Sequence, residues 1–276
     1  MSIITLTTDF GLRDHFVGAL KGKLISDFPE CRIVDISHHV DPFNIYEASY
    51  LLNAAWTSFP PGTVHLIGVD AEFHKGNRHI AMQWNGHYFI GADNGILSLL
   101  SSKILPEKLF EITIHDRFPP ETADLDVLAK VATHLARGGV LNVIGRETAG
   151  LKEVTELKPV VAADRSSIKG YVIYVDHFGN AVVNITRKMF QELVTGRSYT
   201  VAAGKNTVNV IFRRFADILN EGRLSLKDSE GRMVAVFNEA GYLEIATYRS
   251  NPHLVGSANT LLGLRFQSEV RINFGK

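Results

Sequence analysis

The chain of 276 residues has a single cysteine, Cys31, so no internal disulfide can form and no cysteine-based metal-ligand spacing exists. It has no excess of charge: Lys and Arg total 29, as do Asp and Glu, for a formal net charge of zero. No global field therefore draws it to nucleic acid or to a membrane surface. No apolar run approaches the ~18 residues that span a bilayer. The first residues, Met1-Ser2-Ile3-Ile4-Thr5-Leu6, lead directly into polar Thr7-Thr8-Asp9 without the cationic start and apolar stretch of a signal peptide. A cytoplasmic location is expected. Gly-x-Gly-x-x-Gly and Walker loops are both missing, so phosphate-bearing cofactors lack their usual cradle. Ser98, Ser101 and Ser102 stand outside any Gly-x-Ser-x-Gly context, which argues against a serine hydrolase.

Short apolar, β-branched runs alternate with segments of helical period. Ile3–Thr8, Arg32–Val34, Val64–Val69 and Tyr88–Ala92 read as strands ending on Asp9, Asp35, Asp70 and Asp93. Phe16–Phe28, Ile45–Phe59 and Leu125–Leu135 carry apolar residues near a 3.6 period. This alternation predicts an α/β domain over residues 1–163 with a largely parallel central sheet. Ligands collect beyond the carboxyl ends of such strands, so the four aspartates mark one rim as the candidate site. From residue 164 to 276 the pattern changes to short strands separated by Gly, Asn and Asp turns, with helix expected only at Lys188–Leu193 and Phe215–Asn220. That predicts a smaller all-β domain, an antiparallel barrel or sandwich.

The motifs are individually weak. Asp9-Phe10-Gly11 is the tripeptide that holds magnesium in kinases, but the glycine-rich loop, strand lysine and His-Arg-Asp loop are all missing. Asp9 can cap a helix starting near Arg13, or accept both hydroxyls of a ribose from the end of the first strand. His38 and His39 are adjacent, so on a strand they face opposite ways and do not grip one ion. No metal or cofactor is expected. Asp93-Asn94-Gly95 and Gly179-Asn180 read as turns.

In combination and in order these fragments say more. Thr8-Asp9-Phe10-Gly11 is followed by Val34-Asp35-Ile36-Ser37-His38, by Phe59-Pro60-Pro61-Gly62-Thr63-Val64 running to Val69-Asp70, and by Asp93-Asn94-Gly95. Then come Val175-Asp176-His177-Phe178-Gly179-Asn180-Ala181 and Asn238-Glu239-Ala240-Gly241-Tyr242-Leu243-Glu244-Ile245-Ala246. Over roughly residues 3 to 274 the series resembles the S-adenosylmethionine hydroxide adenosyltransferase family, which also includes fluorinating and chlorinating enzymes. The resemblance implies an α/β domain, a C-terminal β-barrel and a homotrimer with ligand at subunit interfaces. It implies S-adenosylmethionine as substrate, with in-line displacement at ribose C5′ by water, hydroxide or halide.

Carried over by position, Asp9 takes the ribose diol, Phe43 packs near the nucleoside and Asp70 flanks the nucleophile. Asp176 meets the methionine ammonium. Phe178 and Asn180 line the adenine pocket, beside Asn238 and the backbone around Ala246, and Asp93, Asn94 and Glu239 are also expected to bind substrate. The chain also departs from the pattern. Asn77 replaces an arginine that acts with the aspartate on water, and Arg78 matches the second arginine of that pair. Ala123 stands where a histidine is expected, leaving His115 or His74 as substitutes. Glu239 replaces a serine that helps bind the methionine carboxylate, and two facing carboxylates repel. Halide-pocket hydroxyls are not recognisable. The expectation is therefore hydrolysis to adenosine and methionine, with Asp70 and Arg78 orienting water. The alternatives are a non-catalytic adenosine-binding protein, or an enzyme on another adenosyl compound whose cation Glu239 would pair.

Overall fold

A computed structural model describes residues 2–101, 104–223 and 225–275; Ser102 lies outside the described residues. The chain divides into two compact units, Met1–Thr155 and Glu156–Lys276.

In the first unit seven strands form one sheet: β1 (Ile3–Thr8), β2 (Arg32–Ser37), β3 (Val64–Gly68), β4 (His79–Trp84), β5 (His87–Ala92), β6 (Lys108–Ile112) and β7 (Gly145–Glu147). Their order is β2-β1-β3-β5-β4-β6-β7. Strands β2, β1, β3 and β5 are mutually parallel, whereas β4, β6 and β7 join by antiparallel ladders. The sheet is thus mixed, not largely parallel. The reason is local: β4 reaches β5 through the two-residue turn Asn85-Gly86, both at positive φ (49° and 74°). Such a turn makes an antiparallel hairpin, whereas a parallel connection needs a dozen residues or more.

Helices α1 (Phe16–Asp27) and α4 (Asp124–Ala136) cover one face of the sheet, and α2 (Ile45–Ala55) and α3 (Ile96–Ser101) the other. Leu20, Leu24, Leu128 and Leu135 pack on Ile4, Leu6, Leu66 and Ile90. Leu52, Leu97 and Leu100 pack on Ile67, Ile80, Met82 and Phe89. Neighbouring Leu66 and Ile67 enter opposite cores, as do Phe89 and Ile90, because successive strand residues face opposite ways. Burying each such side chain contributes about 1.5–3 kcal/mol. Helix α1 starts at Phe16 after His15, with no side-chain cap, so Asp9 does not cap it.

The second unit is built on β8 (Val160–Val161), β9 (Ser167–Val175), β10 (Ala181–Thr186), β11 (Tyr199–Ala203), β12 (Asn206–Val208), β13 (Ile211–Phe212), β14 (Met233–Phe237), β15 (Tyr242–Thr247) and β16 (Glu269–Phe274). The order is β12-β11-β16-β9-β10-β15-β14-β13, with β8 beside β9. All ladders are antiparallel except β13 on β14. The sheet curls around Ile168, Val183, Val201, Leu243 and Ile272, with α5 (Arg187–Val194) contributing Leu193. It approaches a barrel, since β12 lies against β14, but the hydrogen-bonded path ends at β12 and β13 and leaves a seam. The unit begins before β8, not after residue 163, because β8 pairs with β9. No helix among the described residues is long and apolar enough to cross a membrane.

Candidate active site

Strands β1, β3 and β5 are neighbours running the same way, so Asp9, Asp70 and Asp93, just beyond their carboxyl ends, lie along one rim. Asp35, expected on the same rim, lies within β2 opposite Leu6. It is tied to Lys21 at 2.6 Å and to His38 at 3.1 Å. Buried His38 meets the Thr8 hydroxyl at 2.7 Å, while His39 is exposed.

Asp70 has φ of +46°. A non-glycine residue stays in the left-handed region only when its surroundings hold it there. Here two side-chain amides do so. Asn94 Nδ2 donates to the carbonyls of Val69 (2.9 Å) and Asp70 (3.2 Å), and Asn77 Nδ2 donates to those of Asp70 (3.1 Å) and Glu72 (2.9 Å). Asn94 Oδ1 accepts from the Ile96 amide at the start of α3, which anchors the clamp. The half-buried Asp70 carboxylate makes no hydrogen bond or ion pair among the described residues. It is a charge held ready in a rigid turn.

Arg78 is engaged elsewhere. Its Nε donates to Asp93 Oδ2 (2.9 Å), Nη1 to Thr148 Oγ1 (2.8 Å) and Nη2 to the Gly150 carbonyl (2.8 Å). Buried Asp93 accepts in addition from the Lys152 amide at 2.8 Å. Arg78 and Asp93 therefore pin β4 and β5 to the segment at 148–152, and no contact among the described residues links Arg78 to Asp70.

Asp9 Oδ2 accepts from the Phe43 amide at 3.0 Å. Phe43 has φ of +63° and is 72% exposed, an apolar ring presented beside the rim. His115 does reach the loop after Asp70. Its ring stacks on Phe73 at 4.0 Å and 15°. Its Nε2 lies 3.0 Å from Nδ1 of His79, whose Nε2 donates to the Ala71 carbonyl at 2.9 Å. Burial holds His79 down to about 4 and lowers His115 as well. His74 Nδ1 instead accepts from Gly76 N within its own loop, and Ala123 only precedes α4.

In the second unit the β9–β10 turn wraps Asp176. Its Oδ1 accepts from the Asn180 amide (2.8 Å) and its Oδ2 from Asn180 Nδ2 (3.0 Å). Asn180 Nδ2 also donates to Glu244 Oε1 at 3.0 Å. Glu244 is buried, and burial reinforced by the charge of Asp176 pushes its carboxyl up; Asn238 and Asn180 hydrogen bonds oppose the shift. Phe178 stands 65% exposed on the turn. Gly179 has φ of +73°, and a Cβ there would lie 2.1 Å from Ser257 Oγ, so only glycine fits. Asn238 Oδ1 accepts from Tyr242 N in the β14–β15 turn, Glu239 is exposed at its tip, and Ala246 is buried opposite Val234.

The family model for the SAM hydroxide adenosyltransferase N-terminal domain matches residues 4–145, and the model for the C-terminal domain matches residues 170–271. The chain belongs to the S-adenosylmethionine hydroxide adenosyltransferase family. This adenosyltransferase-family chain is 29% identical over 284 residues to (R)-S-adenosyl-L-methionine hydrolase of Methanocaldococcus jannaschii, covering 99% of the chain and 96% of that relative. It is 30% identical over 240 residues to the protein of the same name from Salinispora arenicola, covering 85% and 90%. A crystal structure of an uncharacterized conserved protein from Thermotoga maritima superposes with a TM-score of 0.82 at 29% identity, covering 98% of the chain and 99% of that structure.

Against the sequence expectations for an adenosyltransferase of this family, the fold gathers Asp9, Asp70, Asp93 and Asn94 on one rim and Asp176, Asn180 and Asn238 around a second cluster. Sequence reasoning missed His79, Phe73 and Glu244. Glu244 is the carboxylate beside Asp176, whereas Glu239 is exposed at the tip of the β14–β15 turn. The 36-residue separation of His79 and His115 carries no local signal.

Proposed function

We propose that this chain is an S-adenosylmethionine hydrolase, which displaces methionine from ribose C5′ with water to give adenosine and methionine. The near end-to-end match to a relative named (R)-S-adenosyl-L-methionine hydrolase carries the reading. The rim supports it, because Asp70 offers a carboxylate with no partner among the described residues, on a rigid turn. The sulfonium is already an excellent leaving group, so neither a metal nor a general acid is required. The protein has to hold water, C5′ and sulfur in line and limit bulk solvent. In this reading Asp70 orients the water, and Arg78 holds the rim through Asp93, Thr148 and Gly150. Asp9 takes the ribose diol beside Phe43, and Asp93 and Asn94 keep the rim in shape. Asp176 receives the methionine ammonium, reinforced by Glu244. Phe178 and Asn180 receive adenine, with Asn238 and the backbone of Ala246 beside them. Cytoplasmic location and a homotrimer with ligand at subunit interfaces belong to the same reading; light scattering of the purified protein tests the trimer.

Chromatography of S-adenosylmethionine incubated with the pure protein near neutral pH tests the activity. Adenosine and methionine are expected in equal amounts from the wild type, and none above background from Asp70→Ala. Full retention of S-adenosylmethionine by correctly folded wild type would overturn the reading.

A further inference from the structure

Histidines usually leave their tautomer open, but the contacts of His79 and His115 determine theirs. A backbone carbonyl only accepts, so His79 Nε2, 2.9 Å from the Ala71 oxygen, must carry a hydrogen. His79 is wholly buried, and burial keeps it neutral near pH 7. Its Nδ1 is then a lone-pair nitrogen. His115 Nε2, 3.0 Å away, must therefore be the N–H that donates to it. In neutral His115 this leaves Nδ1 as the basic nitrogen, with no partner among the described residues.

The pair is placed at the candidate site by more than one contact. His79 holds the carbonyl of Ala71, the residue directly after strained Asp70. The His115 ring lies face to face on Phe73 of the same loop. The Phe73 amide donates to Asp124 Oδ2 at the start of α4 at 2.7 Å, so the stack is fixed from a third side. The charged groups acting on the pair are Asp124 from α4 and Asp116 on the turn of His115 itself; both favour protonation of His115 but are outweighed by its burial. Arg117 on that turn is turned to the Val143 carbonyl.

We propose that His79 is a positioning residue that locks the tautomer of His115, and that His115 Nδ1 accepts the proton of the attacking water. This rests on the hydrolase reading. The water oxygen bonds to C5′ as the C5′–S bond breaks, and that electron pair leaves on the methionine sulfur. One water proton passes to His115 Nδ1 and then to solvent; the other stays on the new adenosine hydroxyl.

Long-range proton–nitrogen NMR of the wild-type imidazoles tests the lock without reference to activity. Both His79 and His115 are expected to show a protonated Nε2 and a lone-pair Nδ1 near neutral pH. A protonated Nδ1 on neutral His115 would overturn the proposal. Kinetics test the rest. His115→Phe keeps a ring on Phe73 but removes the base, and a fall in kcat of roughly 100-fold is expected, within the range for general bases, with KM within about threefold. The rise of kcat with pH below 6.5 should disappear in that variant. Unchanged kcat in His115→Phe would refute the base. His79→Leu should lower kcat about tenfold, partly recovered in His79→Gln, which still donates and accepts; equal activity of all three would refute the lock. If wild type makes no adenosine, the hydrolase reading and the proton-transfer step fail together, while the NMR still decides the tautomer lock.

Discussion

The side-chain amide of Asn94 donates to the carbonyl of Asp70 and to that of Val69 before it, holding a left-handed aspartate at the end of β3. The site's free carboxylate is thus positioned by a residue on the neighbouring strand's end, which is itself locked to α3.

Replacing Asn94 by Ala removes two donors from buried carbonyls and the acceptor for Ile96. A stability loss of about 1–3 kcal/mol is expected, together with at least a tenfold fall in adenosine formation as the Asp70 turn relaxes. Thermal denaturation and turnover, measured on the same preparation, check both. Activity unchanged at reduced stability would mean that the clamp serves folding alone.

Arg78→Ala should leave Asp93 buried without its cation. Breaking a buried pair costs roughly 3–5 kcal/mol. With Arg78 about one-third exposed the expected loss is nearer 2 kcal/mol, discounted for solvent screening. Asp93→Asn in the Arg78→Ala background should recover part of it, since no uncompensated charge then remains. Denaturant unfolding of the single and double variants reads this coupling. Additive losses would refute the pinning role.

Acid should destabilise the first unit. Burial lowers His79 to about 4 and His65, which is hydrogen-bonded to Thr5 and against His87, to about 3. Below the unfolded value of about 6.5 the unfolded chain takes up protons that these folded histidines refuse, so stability falls as pH drops. At about 1.4 kcal/mol per unit for each group, the loss between pH 7 and 4.5 is on the order of 5 kcal/mol. Denaturant unfolding at several pH values checks this, and His65→Gln should flatten the slope between pH 6.5 and 4.5. An unchanged slope would show that His65 is not a source of it.

Gly179→Ala puts a Cβ into Ser257 and forces a left-handed alanine, at about 1–2 kcal/mol for the backbone alone. The turn carrying Asp176, Phe178 and Asn180 should distort, weakening adenosine binding in calorimetry at least tenfold. Gly179→Ala paired with Ser257→Gly should restore part of the affinity by removing the clash. Wild-type affinity in the single variant would separate this turn from nucleoside binding.

Much of the first unit was legible. Ile3–Thr8 is β1 as expected, and α1, α2 and α4 lie within a few residues of their expected spans, because amphipathic period is a local property. The antiparallel half of the sheet was missed, although Asn85-Gly86 signalled a hairpin. Strand β4, buried on both faces, has no alternation to betray it: Ile80, Ala81 and Met82 all face core. In the second unit residues 206–212 form two separate strands, β12 and β13, since the chain leaves one edge to join another. At the site, the ordered motifs point to Asp70 and Asp176. Arg78 was named too, but its partners at 93, 148 and 150 lie too far along the chain for spacing to reveal.

By itself the sequence determined the family, the α/β-then-β order of the chain and, Asp35 apart, the rim aspartates, because those rest on local period and on motifs in fixed order. Only the tertiary structure decided which charges are already paired. Arg78 neutralises Asp93, Asp70 has no ion-pair partner among the described residues, buried Glu244 lies beside Asp176, and His79 dictates the tautomer of His115. Hydrogen-bond partners and burial are set by which distant strands become neighbours, and no local pattern encodes them.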